Sequence, residues 1–412
     1  MDPYLSVIQA ADRADQAASI VHRESESAVS QEPSSGQWHK SIFFAFGSVL
    51  VFCVTARLTN TDTYEWSNKL SSSAPAWKFR PPTNDEMRRA RYYTLGKVLQ
   101  EHLAHIKDAV EEWPQTIKAM VVWSYIQIAQ PILDTTEGRR VCWAIGAVNG
   151  MLYLAWQFPR TRAIMQTSFL HSPLSGRSYT MLTSLFRSLA HVVLGSMALA
   201  SFGSATSQCL FEKHSKDPEN LREASPKWHF VAFFVSAGLF ANLVSHVAAS
   251  RITFPRLVSR LRKLPTSSIT PLTSASTPPA KGFIGWMSSL RASPNTTEAA
   301  AKIPVSLGAS GAVYATLTFV ALAYPDTDLA TKIPPTFPIP IQWGLCSLLV
   351  LDVMGIWRGW RLFNHWAHLG GAAFGAFYWE YGTIIWEVFR ELTLGSLPSS
   401  LCNLNVEGEE EE

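Results

Sequence analysis

The residues best suited to chemistry lie in the stretch from Gly308 to Tyr314, which reads Gly-Ala-Ser-Gly-Ala-Val-Tyr. It opens an apolar run, 312–324, of the kind that forms a membrane helix. Glycine lowers helix stability, so Gly308 and Gly311 at a helix start require a physical reason. One reason is close packing against another helix. Another is a nucleophile, Ser310, that a base and a substrate backbone must reach.

A serine nucleophile needs a base, and His368 lies near the head of a later apolar segment. Gly371 and Gly375 follow it with GxxxG spacing, on roughly the same helix face. Such glycines let two helices approach closely, which would bring the imidazole to Ser310. In an apolar interior, packing could hold the imidazole without a third carboxylate. By spacing alone, both glycine patterns are more common in helix packing than in catalysis.

The composition is typical of a membrane protein. Of the 412 residues, 47% are hydrophobic and 16% are charged, against roughly 25% charged in soluble domains. A net charge of +3 is too small to indicate a nucleic-acid partner. The five cysteines include no CxxC pair, so the sequence predicts neither a disulfide framework nor a zinc site. We expect a lipid bilayer as the surrounding medium, and we expect no metal and no cofactor.

Apolar segments of spanning or near-spanning length recur from residue 141 onward. The six segments are 141–158, 179–202, 228–249, 309–324, 341–357 and 367–389. An earlier run, 41–55, is slightly shorter than the roughly 20 residues that a spanning helix needs. Only helices and closed barrels satisfy their backbone polar groups in lipid. The pattern therefore predicts an all-α, polytopic helical membrane protein.

The other segments complete the domain organisation. The predicted parts are a polar segment 1–39, a first transmembrane helix 40–57, a linker 58–140, a core 141–390 and an acidic tail 391–412. Within the linker we expect a soluble helix over 84–112 and an interfacial amphipathic segment over 113–133. The core contains a basic loop, 251–304. Because basic loops stay on the cytoplasm-like side, this loop predicts that the Ser310 mouth opens to that side and the tail lies opposite.

Ionisable and polar groups inside membrane segments are expensive and usually functional. Besides Ser310 and His368, the apolar segments contain His191, Asn242, His246, Asp352, His365 and Glu380. We expect Asp352 to have a packing role rather than a catalytic one. We expect Asn242 and His246 to make polar contacts or line a water channel, and they form no metal-ligand set with His191.

The sequence resembles the rhomboid family of intramembrane serine proteases, and most closely its mitochondrial branch. Four stretches carry the resemblance, in the same order: HVVLGSMALASFG from His191, VSAGLFANLVSH from Val235, SLGASGAVYA from Ser306 and NHWAHLGGAAFGAFYW from Asn364. The resemblance spans about 140–390 without the basic loop. It implies a six-helix rhomboid core preceded by one extra N-terminal transmembrane helix.

The resemblance also implies residue roles. Ser310 would be the nucleophile, and His368, rather than His365 one turn earlier, would be the general base. The Tyr314 ring would stack on the His368 imidazole. The glycines Gly308, Gly311, Gly371 and Gly375 would serve close helix packing.

One position departs from the family pattern. The second helix of rhomboids carries a His-x-x-x-Asn pair that donates hydrogen bonds to the oxyanion. His191 matches the histidine, but Gly195 stands at the asparagine position, and the adjacent Ser196 is a conceivable substitute. Loss of one oxyanion donor costs about 10²–10³ in rate, so the departure indicates a slow protease, a different donor or an inactive protein.

The function implied is proteolysis of single-pass membrane proteins within or near the bilayer through a Ser-His dyad. The alternative is a weak or inactive rhomboid-like protein that binds transmembrane helices and controls their fate. The resemblance implies the mitochondrial inner membrane. Residues 1–39, which contain several acidic side chains, are not typical of a mitochondrial presequence.

Overall fold

The computed structural model describes residues 33–73, 80–168, 189–253, 255–256, 259, 309–330, 338–360 and 363–395. This part of the chain is almost entirely helical. The helices are α1 Pro33–Ser72, α2 Asn84–Ala109, α3 Gln115–Asp134, α4 Glu137–Gln157, α5 Pro159–Ser168, α6 Leu189–Ala198, α7 Ser204–Ser215, α8 Lys227–Ala248, α9 Ala309–Ala323, α10 Ile341–Arg358 and α11 His365–Leu394. A π-helical turn, Leu199–Gly203, joins α6 to α7, and another, Ala249–Thr253, extends α8.

Several described helices suit a bilayer. Ser41–Ser72, Lys227–Thr253 and Ile341–Arg358 are long and apolar enough to cross one, and Ser310–Ala323 is a shorter apolar helix. The six predicted apolar segments overlap α4, α6 with the π-helical turn that follows it, α8, α9, α10 and α11. Residues 179–188 of the second segment lie outside the described residues. The prediction of an all-α, polytopic membrane fold is confirmed.

A short antiparallel strand pair lies between α9 and α10, and the sequence analysis did not predict it. β1 is Asp328–Ala330 and β2 is Pro338–Pro340, with Leu329 opposite Ile339. Strands of three residues, one of them with two prolines, show no alternating pattern that a sequence reading would detect.

The centre of the bundle is formed by α9, α11 and α8. Helix α9 packs most extensively against α11, and α8 packs against both. Phe233 of α8 contacts Phe319, Phe374 and Tyr378 with ring centroids 5.6, 6.0 and 5.0 Å apart. Aromatic pairs add about 0.5–1.5 kcal/mol each beyond the burial of their area. This aromatic packing fixes how α9 and α11 lie relative to each other.

The first apolar run belongs to a longer helix than the sequence analysis predicted. Helix α1 has 40 residues and continues through polar sequence to Ser72. The polar continuation stays helical because its side chains find partners. Asp62, for example, lies 3.0 Å from Arg91 of α2 and 2.8 Å from Lys227 of α8.

Helix α1 packs against α11, the last helix of the core. Phe52 stacks on Phe389 of α11 with ring centroids 5.1 Å apart. Nearer the end of α11, Asn60 Nδ2 donates to the Arg390 carbonyl at 2.9 Å, and Arg390 Nε donates to Asn60 Oδ1 at 2.9 Å. The additional helix therefore packs on the core through both apolar and polar contacts.

Helices α2 and α3 form a hairpin outside the bundle. Thr83 and Glu86 form a capping box that begins α2, with each side chain accepting from the backbone N–H of the other. Helix α3 leaves Ile117, Met120 and Trp123 exposed. Its interfacial location stays a prediction.

The segment 216–226, between α7 and α8, is held against α11 by buried polar contacts. Arg390 donates from Nη1 to the Leu221 carbonyl at 2.8 Å and from Nη2 to the Arg222 carbonyl at 2.6 Å. The Leu221 N–H donates to Glu387 Oε1 at 2.7 Å. This end of the bundle therefore has its own polar core.

Glu223 is the most deeply buried carboxylate of this segment. Its side chain is fully buried, and His214 Nδ1 lies 3.4 Å from its Oε2. Burial raises the pKa of the Glu223 carboxyl, although the charges of His214 and Arg390 act in the opposite direction and that of Glu387 adds to the rise. The folded protein therefore favours the neutral form of Glu223.

Glu223→Gln should change how stability depends on pH. Because the folded-state pKa lies above the ordinary value of 4.5, the contribution of Glu223 to stability is present below that value and is lost as pH rises through the folded-state pKa. The substitution removes this loss. The melting temperature of Glu223→Gln minus that of the parent should therefore become more positive as pH rises above 4.5.

Thermal unfolding in detergent measures this difference. Glu101→Gln, at an exposed glutamate of α2, is the matched control and should show no such trend. A difference that stays constant or shrinks as pH rises would contradict the raised pKa of the buried Glu223 carboxyl.

Residues of several predicted segments lie outside the described part of the chain. These are residues 1–32 of the N-terminal segment, most of the basic loop from 260 to 304, and the tail after residue 395.

Candidate active site

Ser310 and His368 meet at one end of the bundle. Ser310 lies in the first described turn of α9, and His368 lies in the first turn of α11. The two helices pack side by side, so their first turns are adjacent. Ser310 Oγ lies 3.0 Å from His368 Nε2, which is hydrogen-bonding distance.

Three glycines make this approach possible. A Cβ added to Gly371 would lie 1.9 Å from the Gly311 carbonyl oxygen, and one added to Gly375 would lie 2.4 Å from the Ala315 carbonyl oxygen. A Cβ on Gly311 would lie 2.8 Å from the Ala367 carbonyl oxygen. The backbones of α9 and α11 are therefore in direct contact, and any larger residue at these positions would separate them.

The imidazole of His368 is held on its face by an aromatic ring. Tyr314, one turn after Ser310 on α9, stacks on it with ring centroids 4.2 Å apart and planes 9° apart. Phe363 lies on another side, with centroids 6.3 Å apart. These rings restrict rotation of the imidazole.

A carboxylate lies on the other side of His368. Asp352 belongs to α10, which runs antiparallel to α9 and α11, so that its last turns lie beside their first turns. His368 Nδ1 lies 3.0 Å from Asp352 Oδ1 and 3.2 Å from Oδ2. Asp352 is only 1% exposed. From the sequence we expect Asp352 to have a packing role, and its contact with His368 was not predicted.

The same carboxylate has two further partners. His365 Nδ1 lies 2.5 Å from Asp352 Oδ1, and the Tyr314 phenol also interacts with Asp352. Gly355, one turn after Asp352, makes room for the His365 ring, because a Cβ there would lie 2.3 Å from His365 Nε2. The signals available in the sequence were the three-residue spacing of His365 and His368 and the unpaired carboxylate within an apolar segment.

These contacts select one arrangement of protons. If Nδ1–H of His368 donates to Asp352, its Nε2 is free to accept the Ser310 hydroxyl. Nucleophile, base and carboxylate are then linked in the order that acyl-transfer sites use. This arrangement can remove a proton from Ser310 as its oxygen attacks a carbonyl carbon.

The cluster of Asp352, His365 and His368 also has the donor types of a divalent metal site. One ligand atom from each lies within 4.8 Å of the others. The hydrogen bonds between the imidazoles and the carboxylate already account for their convergence.

Asn364 caps α11 directly beside the site. Its Oδ1 accepts from the Ala367 N–H at 3.3 Å and from the Ser245 hydroxyl of α8 at 2.9 Å. Asn242 and His246 of α8 are buried on the same part of that helix. Helix α8 therefore contributes polar side chains next to the mouth of the site.

The expected oxyanion residues are only partly described. His191 lies in α6, but its side chain is outside the described part. Gly308, which we expect to serve helix packing, is also outside the described part. Gly195 lies in α6 and offers no side-chain donor. Ser196 faces α4, since a Cβ on Gly146 would lie 3.3 Å from its Oγ. That placement does not support Ser196 as a substitute donor.

Glu380 is exposed on α11, away from the site.

The length of α9 indicates a depth for Ser310 once the end of that helix is placed at a membrane face. Ser310 precedes the end of α9 at Ala323 by 13 residues, which is about 20 Å along a helix axis. The hydrocarbon core of a bilayer is about 30 Å thick. With the end of α9 at one face, Ser310 falls inside the bilayer, short of the other face.

Comparisons with known proteins agree with this architecture. The family model of the Rhomboid domain matches residues 175–383. The chain is 27% identical over 256 residues to "Presenilin-associated rhomboid-like protein, mitochondrial" of Mus musculus, covering 61% of this chain and 51% of the relative. The protein of the same name from Homo sapiens is 27% identical over 258 residues, covering 62% and 52%.

A further relative is "Presenilin-associated rhomboid-like protein A, mitochondrial" of Danio rerio, 26% identical over 255 residues, covering 61% of this chain and 50% of the relative. The chain thus spans about half the length of the curated relatives that it matches. The search of solved structures gave no match.

Gly371→Ala tests the close approach of α9 and α11. The added methyl group has no room beside the Gly311 carbonyl, so the helices must separate, and overpacking of this kind typically destabilises by about 1–3 kcal/mol. Gly150→Ala makes the same change in α4, where nothing lies within 4 Å of the new Cβ. Thermal unfolding should show a lower melting temperature for Gly371→Ala and an unchanged or higher one for Gly150→Ala. Equal shifts would contradict the contact between the helix backbones.

Proposed function

Because this chain belongs to the mitochondrial branch of the rhomboid family, we propose that it is an intramembrane serine protease that cleaves single-pass membrane proteins. Ser310 is the nucleophile and His368 is the general base. The single observation that carries the proposal is the 3.0 Å contact between Ser310 Oγ and His368 Nε2.

In the proposed reaction, His368 Nε2 takes the Ser310 hydroxyl proton as Oγ attacks the carbonyl carbon of a client peptide bond. The tetrahedral intermediate collapses, the C–N bond breaks, and the imidazolium gives its proton to the leaving amine. Water then attacks the acyl-enzyme ester and passes a proton to His368. The ester C–O bond breaks, and the proton returns to Ser310.

The client must expose its backbone to Ser310. A transmembrane helix has all its backbone groups hydrogen-bonded, and extended backbone is unsatisfied in lipid unless protein covers it. Unwinding is therefore easier for clients with glycine or proline near the scissile bond. We propose that such clients are preferred.

The proposed site has fewer hydrogen-bond donors for the oxyanion than the family pattern provides. The Ser310 backbone N–H and His191 are the proposed donors, and Gly195 removes the third donor expected from the family pattern. Loss of one donor lowers kcat by about 10²–10³, so we propose a slow protease.

The glycine at position 195 also supports a second candidate function. Gly195 also suits an inactive rhomboid-like protein that binds transmembrane helices without cutting them. The intact pair of Ser310 and His368 favours the protease, because a protein that only binds has no need of an activated hydroxyl.

The chain is an integral membrane protein of the mitochondrial branch. We propose the inner membrane as its location, with the lipid bilayer and single-pass clients as its partners.

Ser310→Ala should abolish cleavage. A reporter segment with a Gly-Pro pair in its half nearer the site, reconstituted with the protein in liposomes, should be cut by the parent and left intact by Ser310→Ala. A matched reporter with leucines in place of the Gly-Pro pair should be cut more slowly. Gel analysis of the fragments measures both rates. Equal cutting by the parent and Ser310→Ala would contradict the proposal.

Gly195→Asn should accelerate the reaction. An asparagine amide restores the missing donor, and the expected gain in kcat is about 10-fold to 10²-fold, less than a native donor supplies because its surroundings are not adapted to it. The rate on the same reporter measures the gain. An unchanged rate, with the variant folded, would show that the missing donor is supplied elsewhere or does not limit the reaction.

A further inference from the structure

We propose that Asp352 is a positioning residue for His368, so that the site is a Ser310–His368–Asp352 triad whose carboxylate is held by His365. This inference rests on the proposed function. It assigns to Asp352 and His365 roles that the serine–histidine pair alone does not contain.

The contacts on the carboxylate carry the inference. Asp352 Oδ1 lies 3.0 Å from His368 Nδ1, the ring nitrogen that does not face Ser310. His365 Nδ1 lies 2.5 Å from the same oxygen. All three side chains are buried, with Asp352 1%, His365 4% and His368 6% exposed. No water can take over the role of the carboxylate without displacing these contacts.

The carboxylate fixes the tautomer of His368. A neutral imidazole carries its proton on either Nδ1 or Nε2. With the proton on Nε2 it cannot accept the Ser310 hydroxyl. An acceptor at Nδ1 keeps the proton there and leaves Nε2 as the base. Stacking on Tyr314 restrains the ring plane but cannot choose between the tautomers.

The carboxylate also balances the charge that forms during the reaction. When His368 takes the Ser310 proton it becomes an imidazolium in an apolar part of the protein, where an isolated charge is costly. An ionised Asp352 at 3.0 Å offsets that charge.

An ionised carboxylate in this place needs donors of its own. His365 supplies one through Nδ1–H, and the Tyr314 phenol interacts with it as well. Gly355 leaves the space that the His365 ring occupies. These groups hold Asp352 in the orientation in which it can accept from His368.

The alternative is that Asp352 only stabilises the fold. The two roles differ in what they change: a structural role lowers stability, whereas a positioning role lowers the rate of the chemical step and leaves reagent binding unaffected. A serine-reactive fluorophosphonate separates them, because its maximal rate of inactivation reports the nucleophile and its half-saturating concentration reports binding.

Asp352→Asn is the decisive variant. It keeps the size of the side chain but allows the wrong tautomer of His368, and we expect the maximal inactivation rate to fall by roughly 10²–10⁴ with little change in half-saturation or melting temperature. Glu380→Gln makes the same chemical change at an exposed position of α11 outside the site, and its rate should stay within twofold of the parent. A rate for folded Asp352→Asn within threefold of the parent would overturn the inference.

A pair of variants at His365 covers the case in which Asp352→Asn does not fold. His365→Asn can place its amide N–H close to the Nδ1 position, whereas His365→Leu offers no donor. We expect His365→Leu to lose at least tenfold more inactivation rate than His365→Asn. Equal rates for the two variants would overturn the role of His365 as the group that holds Asp352.

The parent and Ser310→Ala belong in the same series, so that two failures are told apart. If the parent and Gly195→Asn both react no faster than Ser310→Ala, the proposed protease function fails, and this inference with it. If the parent reacts and the maximal inactivation rate of Asp352→Asn is the same, the proposed protease function is supported and only this inference fails.

Discussion

The contact between the backbones of α9 and α11 is the constraint on which the rest of the site depends. Gly311, Gly371 and Gly375 remove the side chains that would separate these helices. Only then can a short serine side chain on one helix reach an imidazole on the other at 3.0 Å. The lipid surroundings give no hydrophobic force between helices, so close packing of small residues is what holds them together. The same glycines therefore stabilise the bundle and bring Ser310 and His368, the proposed reacting groups, together.

The two ends of α11 have different roles. His368 lies at its beginning, in contact with Asp352 of α10. Arg390 lies 22 residues after His368, about 33 Å along the helix axis. At that far end Arg390 fixes the segment 216–226 and α1 to the core. The aromatic layer around Phe233 and Tyr378 lies between them. A rigid far end and centre leave the first turns of α9 and α11 in a fixed relation, which an acyl-transfer site requires.

Much of this could be predicted from the sequence, because apolar run length and motif order are local signals. The all-α membrane fold and the resemblance to mitochondrial rhomboids are confirmed. What could not be predicted depends on partners distant in the chain. Asp352 was assigned to packing, since nothing near it in sequence shows that His365 and His368 converge on it. The length of α1 was missed for the same reason, because Asn60 and Asp62 find their partners on α11, α2 and α8.

We propose that Ser310 is an activated nucleophile, and a reagent selective for such serines can identify the residue that it modifies. Purified protein is treated with a fluorophosphonate and digested, and the adduct is located by mass spectrometry. We expect one dominant adduct on the peptide containing Ser310, which disappears when the protein is unfolded before treatment. Folded protein that stays unmodified at Ser310 under excess reagent, with Gly195→Asn equally unreactive, would contradict the claim and favour the helix-binding function.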